Sequence, residues 1–379
     1  MLTSSSGISE TELPDADFQS RSSAPAPSER NDSLDGLRAI AVLLVMGVHT
    51  GFPLLSFGWL GVDMFFVLSG FLITTLLCEE FRRTERVSVT KFWGRRFLRL
   101  MPVYWIYVGG ITAAMLLGPS DHLHTVGGWT PGRYILSLWA YFVNLAPLSG
   151  IWAHQQLTLH LWSLAVEEQY YFFWPLCCAV ILRFRRPWMA GLALIALILF
   201  FRRDANPASE GLQVVGIGIV IGSSLALFLR DRPVALLRWI ASSWARWAAV
   251  ALTLLAFVVL GLLRHVREDR LHHSARPWLS LLFAGLIGIL WYGPNDKLAR
   301  ILSWPPLRYI GRISYGMYVY HMLAQFLVWQ VLLRNIEHWN KWLKYGLRCL
   351  LFFGITFGLS IVSYQVIERR FLRIKDRLR

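Results

Sequence analysis

Apolar runs of membrane-crossing length recur along the chain, each closed by a short polar or basic stretch. A run of about 20 apolar residues spans the hydrocarbon core as a helix, and lipid leaves backbone polar groups no partner outside the segment itself. The pattern predicts helices over roughly 36–54, 58–78, 100–118, 161–182, 188–201, 212–229, 247–263, 278–293, 313–333 and 345–366. The expected fold class is all-α: a polytopic membrane protein of about ten transmembrane helices. The stretch Tyr134 to Pro147 is also apolar, but a span there would put every later basic loop on the wrong side. It reads as re-entrant or interfacial. Residues 1–33 are rich in Ser, Pro and acids and hold no apolar run, so they read as a disordered tail. They lack the basic start and apolar centre of a cleavable signal peptide, which makes the first helix an uncleaved anchor.

Lys and Arg set the sides. The loop after the second run carries Arg82, Arg83, Arg86, Lys91, Arg95, Arg96 and Arg99, and the end of the chain carries Arg369, Arg370, Arg373, Lys375, Arg377 and Arg379. Residues 119–160 hold one Arg, Arg133. Segments assigned to the inside carry more than twice the Lys and Arg of those assigned outside, although the outer loop 264–277, with four Arg, fits the rule poorly. Both termini are therefore expected in the cytoplasm and the protein in the inner (plasma) membrane as a multi-pass protein. The expected organisation is a cytoplasmic tail over 1–33, a membrane domain over 34–370 and a basic tail over 371–379.

Composition agrees with this reading. The chain has 379 residues, 55% hydrophobic and 16% charged, with a mean hydropathy of +0.45. Its 18 Trp and 13 Tyr suit interfacial belts. The net charge of +15 does not point to nucleic acid, because the positive residues sit in short loops between apolar runs. The expected partners are membrane lipids rather than nucleic acid. The four Cys fall in or beside apolar runs without metal or disulfide spacing, so no metal is expected.

Within this apolar frame, titratable side chains stand out. An ionisable group inside a membrane span costs several kcal/mol unless it is paired or wet. The first two runs hold Arg38, His49 and Asp63. His49 lies 11 residues beyond Arg38, so about 16 Å deeper along a helix. The turn between the runs centres near Leu54 to Phe57, so antiparallel packing puts His49 and Asp63 at similar depth. An Asp beside a His would hold its tautomer and raise its basicity. A buried pair that only pins two helices is the bland alternative.

A second constellation is LHLWSLAVEEQYYFFWP, in which Ser163 and Glu167 share a helical face, as do Glu167 and Tyr170 or Tyr171. The adjacent acids cannot share a face; Glu167 is favoured for the site over Glu168. A third is RRFLRLMPVYW, where Arg96 and Arg99 fall three apart and suit phosphate oxygens. Any cytoplasmic helix start also attracts Arg. A fourth is RISYGMYVYHM, with His321 near mid-membrane and Tyr315 and Tyr318 on its general face. Phosphate-binding charges at one mouth and a general base deeper in point to group transfer across the membrane.

At these residues the chain closely resembles the acyltransferase-3 family of integral-membrane acyltransferases. Five blocks occur in the family's order: LDGLRAIAVLLVMGVH, GWLGVDMFFVLSGFLIT, RRFLRLMPVYW, LWSLAVEEQYYFFWP and ISYGMYVYHM. The closing VIERRF carries Arg370 where the family often has Pro. The resemblance covers roughly 33–373 and implies an O-acyltransferase. Its donor would be acyl-CoA, typically acetyl-CoA, on the cytoplasmic side, and its acceptor a hydroxyl of a sugar, glycolipid or envelope polysaccharide. By this resemblance His49 matches the essential His and Arg38 its partner, and Arg96 and Arg99 match the pair linked to donor use. Asp63, Ser69, Ser163 and Glu167 match recurrent polar positions. Some relatives carry a soluble SGNH-type esterase-like domain; this sequence ends soon after the last predicted helix, so a stand-alone member is expected. Competing readings are a transporter or flippase for a sugar or lipid-linked precursor, a scaffold subunit of a polysaccharide machine, and acylation of a small metabolite such as a macrolide.

Overall fold

The computed structural model describes residues 31–51, 53–117, 130–145, 155–201, 210–230, 232, 243–262, 268–292, 297–332 and 338–376. Among these, every regular element is a helix. The main helices are α1 (Asp32–Val48), α2 (Leu60–Thr84), α3 (Val89–Leu117), α4 (Pro131–Trp139), α5 (Leu161–Ile181), α6 (Trp188–Phe201) and α7 (Glu210–Leu229). They continue as α8 (Ser243–Leu262), α9 (Glu268–Tyr292), α10 (Lys297–Leu302), α11 (Pro305–Phe326), α12 (Lys341–Ser363) and α13 (Arg369–Asp376). A 3-10 segment, Pro53–Trp59, turns the chain from α1 into α2.

Among the described residues, four helical stretches are long and apolar enough to cross a membrane: Phe57–Thr84, Val89–Leu117, Ala275–Tyr292 and Lys341–Ile374. Their outer faces stay apolar: Leu117, Trp278 and Leu350 are each more than two-thirds exposed. Such a surface suits hydrocarbon and would be costly in water. The chain is a membrane protein on this ground.

Several helices outrun their hydropathy signal. The third begins at Val89, so Arg95, Arg96 and Arg99 ride on the helix and not in the preceding loop. Hydropathy marks where lipid begins, whereas backbone hydrogen bonding carries the helix past that point. The first begins at Asp32, capped by the Asn31 side chain, so residues 32 and 33 do not belong to the expected tail; residues 1–30 lie outside the described residues. Residues 268–277, read as outer loop, are the first turns of α9. The last predicted span runs through a π-helix, Tyr364–Glu368, straight into α13, which contains Arg370. Arg permits the continuation that Pro would break. Residues 377–379 of the basic tail lie outside the described residues. Among the described residues, the doubtful apolar segment forms only the nine-residue α4 and a 3-10 turn, Val143–Leu145. Nine residues rise about 13 Å, less than half the hydrocarbon thickness.

Two of the helical cores share α1. One core joins α1, α3, α5, α11 and α12; the other joins α1, α2, α7 and α9. Small residues allow the close approaches typical of membrane bundles. A Cβ on Gly311 of α11 would strike the Asp35 carbonyl of α1, and one on Gly70 of α2 would strike the Ile219 carbonyl of α7. Arg308 pairs with Asp32 at the same α1–α11 crossing. The Gly311 approach and the Arg308–Asp32 pair hold α1 against α11, where its polar residues border the seam between the two cores.

Candidate functional site

Five helices surround a cavity in that seam. Arg38 enters it from α1, Ser69 from α2, Arg96 and Arg99 from α3, Ser163, Glu167 and Tyr171 from α5, and Ser314, Tyr315 and Tyr318 from α11. Apolar side chains such as Phe65, Phe66 and Leu100 complete the wall.

The positive end is built with unequal partners. Arg38 Nη1 donates to Asp35 Oδ1 at 2.8 Å, one helical turn away. Arg96 lies over the rings of Phe92 and Tyr171, 5.5 Å from each centroid. Neither Arg96 nor Arg99 makes an ion pair with a carboxylate among the described residues. Half-buried guanidinium groups without a carboxylate partner offer forked donors to an incoming anion.

Glu167 stands farther in. Its carboxylate accepts from Ser69 Oγ at 3.0 Å and from the Tyr171 hydroxyl at 3.1 Å. Tyr171 is the i+4 neighbour, so its bond is local, whereas Ser69 brings α2 to α5. Glu168 does not line the cavity, as its place about 100° around the helix dictates. The cavity ends at a hydroxyl pair: Ser163 Oγ and Tyr318 Oη are 2.5 Å apart, so one donates to the other, and both lie within hydrogen-bond distance of the His160 carbonyl, at 3.1 Å and 3.2 Å.

Behind this pair lie three imidazoles. The His49 ring is 4.9 Å from that of His321, and His160 packs edge-on against His321 at 4.8 Å. His49 is the C-cap residue of α1, and its carbonyl accepts from Gln325 Nε2 of α11 at 2.9 Å. His160 Nε2 faces the Val319 carbonyl at 3.0 Å, and His321 Nδ1 faces the Tyr318 carbonyl at 2.6 Å. Among the described residues, no group of three or more His, Cys, Asp or Glu is placed to hold a metal ion.

The structure thus brings Arg38, Arg96, Arg99, Ser69, Ser163, Glu167 and Tyr171 into one cavity, and sets His49 and His321 together just beyond it. The expected His49–Asp63 partnership is not formed. Among the described residues no hydrogen bond or ion pair joins the two; the Asp63 carboxylate turns instead to Arg276 Nε of α9, 3.9 Å away. Counting residues from the turn fixes depth but not azimuth. Six residues separate Asp63 from Ser69, placing them about 120° apart around α2, so one faces α9 while the other faces α5.

Two participants escaped the sequence reading. His160 is buried at the start of α5, three residues before Ser163, and that spacing was its available signal. Arg276 sat in a stretch read as outer loop, and nothing in the sequence tied it to Asp63.

The sequence profile of an acyltransferase domain matches residues 31–364. A protein provisionally named peptidoglycan O-acetyltransferase from Bacillus subtilis is 30% identical over 353 residues, covering 89% of this chain and 54% of that one. A peptidoglycan O-acetyltransferase of Listeria monocytogenes is 29% identical over 356 residues, covering 89% and 55%. The chain spans about half the length of the curated relatives it matches. No solved structure matches it. With the five sequence blocks converging on one cavity and the domain profile covering most of its length, the chain belongs to the acyltransferase-3 family.

Proposed function

We propose that the chain moves an acyl group, acetyl above all, from cytoplasmic acyl-CoA to a hydroxyl of an envelope polysaccharide. The observation that carries this reading is the cavity: guanidinium groups without carboxylate partners at one end, and a hydroxyl pair backed by His49 and His321 at the other. The names of the relatives support acetyl and a polysaccharide acceptor. The excess of Lys and Arg in the assigned inner loops supports a cytoplasmic donor.

In this reading Arg96, Arg99 and Arg38 bind the donor phosphates, and Glu167 supplies the counter-charge that keeps the emptied cavity from holding anions too tightly. The thioester end reaches past Ser163 and Tyr318. The acceptor hydroxyl approaches His49 from the opposite side, and His49 takes its proton as the oxygen attacks the acyl carbon. The C–S bond breaks, and the departing thiolate recovers that proton. Asp63 acts apart from this chemistry, holding α2 to α9 through Arg276.

The test is mass spectrometry of envelope glycans from cells with and without the gene. The expected result is a mass difference of one acyl group that is present only with the gene and disappears in the His49→Ala variant. Identical glycan spectra with and without the gene would overturn the reading.

A further inference from the structure

The three-imidazole cluster contains a donor–acceptor imbalance that resolves in one way. A backbone carbonyl only accepts, so the His321 nitrogen facing the Tyr318 carbonyl, Nδ1, carries the proton of a neutral ring. Its Nε2 is then a bare lone pair, and this atom is buried without a hydrogen-bond partner. His160 cannot supply the missing donor. Its Nε2 proton is spent on the Val319 carbonyl, and its buried Nδ1 is likewise a lone pair without a partner. The Tyr318 hydroxyl, 5.4 Å from His321 between ring centroids, is engaged by Ser163 and the His160 carbonyl. His49 remains. Its ring abuts His321 at 4.9 Å, and its nitrogens make no hydrogen bond among the described residues. A buried acceptor left unmatched forfeits its hydration without a replacement bond, so a small rotation that brings the His49 N–H onto His321 Nε2 is favoured.

We propose that His321 is the positioning residue of His49: its Nε2 accepts the His49 N–H, fixes the His49 tautomer and leaves the other His49 nitrogen unprotonated towards the acceptor hydroxyl. His321 takes the part that residue counting had given to Asp63. His160, with its one N–H committed to Val319, cannot compete for either ring. This inference rests on the reading of His49 as the general base.

Two substitutions separate the nitrogens. His321→Asn keeps a donor near Nδ1 for the Tyr318 carbonyl and removes the Nε2 lone pair. His321→Gln places an amide oxygen near the Nε2 position. The assay is transfer of label from radioactive acetyl-CoA to endogenous acceptor in membranes holding the full chain, with rates normalised to chain abundance. His321→Asn is expected to lower kcat about tenfold or more with the donor KM within about twofold, and His321→Gln to recover part of the loss. A kcat for His321→Asn equal to the parent, or equal losses in both variants, overturns the proposal. His49→Ala is run alongside. Activity lost in His49→Ala but kept in His321→Asn overturns the positioning role alone; activity kept in His49→Ala, or no transfer by the parent, overturns the His49 reading with it.

Discussion

At the scale of single residues, the site separates charge from chemistry. Among the described residues Arg96 and Arg99 make no ion pair with a carboxylate, so the Arg96→Gln, Arg99→Gln double variant loses charge-assisted bonds to the donor. Its donor KM should rise at least about tenfold, with the chain still present in membranes; an unchanged KM in the label-transfer assay would exclude these residues from donor binding. His49→Ala should lower kcat about 10²- to 10⁴-fold at unchanged donor KM, read in the same assay. Asp63 should behave differently. Its carboxylate faces Arg276 inside the α2–α9 seam, so Asp63→Asn leaves a partly buried guanidinium without its counter-charge. The expected cost is about 1–3 kcal/mol, seen as a lower melting temperature in detergent, while kcat per folded molecule stays near the parent's. A large loss of kcat with parental melting would return Asp63 to the catalytic chemistry.

At the scale of elements, glycine placement decides which helix faces can touch. The α1–α11 crossing carries both Arg38 and the pair His49–His321, so its spacing sets the cavity. Gly311→Val puts side-chain atoms where the Asp35 carbonyl lies and must push α1 away. The chain should then either fail to accumulate or show a raised donor KM through the displaced Arg38. Gly110 in α3 is the contrast, because nothing lies within 4 Å of a Cβ built there. Gly110→Ala should raise stability by about 0.5–1 kcal/mol through the better helix former, with transfer unchanged. Equal effects of the two substitutions on accumulation and melting would refute the packing argument. The periodicity of apolar residues located most of these helices, α6 to the residue, because burial in lipid and helical hydrogen bonding act over the same run. It misplaced the starts of α3 and α9, where polar turns carry the helix beyond the lipid.

At the scale of the whole molecule, the proposed orientation rests on loop charge. A cysteine introduced at Arg373 should react with a membrane-impermeant thiol reagent only after cells are opened, and one at Arg133 should react in intact cells. The reverse pattern would invert the donor and acceptor sides together. Both positions are exposed, so access to the reagent reports the side of the membrane and not burial.

The amino-acid sequence by itself determined the helical class, the approximate positions of most helices and the list of polar residues, because each rests on local cost: an apolar run wants lipid, and an ion within it wants a partner. It also required Glu167 and Glu168 to face different ways, since neighbouring residues on a helix stand about 100° apart. Which polar residues meet was decided by the tertiary structure alone. Depth can be counted along a helix, but the azimuth at which two helices meet depends on every contact between them. Rotation of α2 about its axis gave Asp63 to Arg276 and Ser69 to Glu167. The close α1–α11 crossing gave His49 to His321, and the start of α5 added His160 to the cluster.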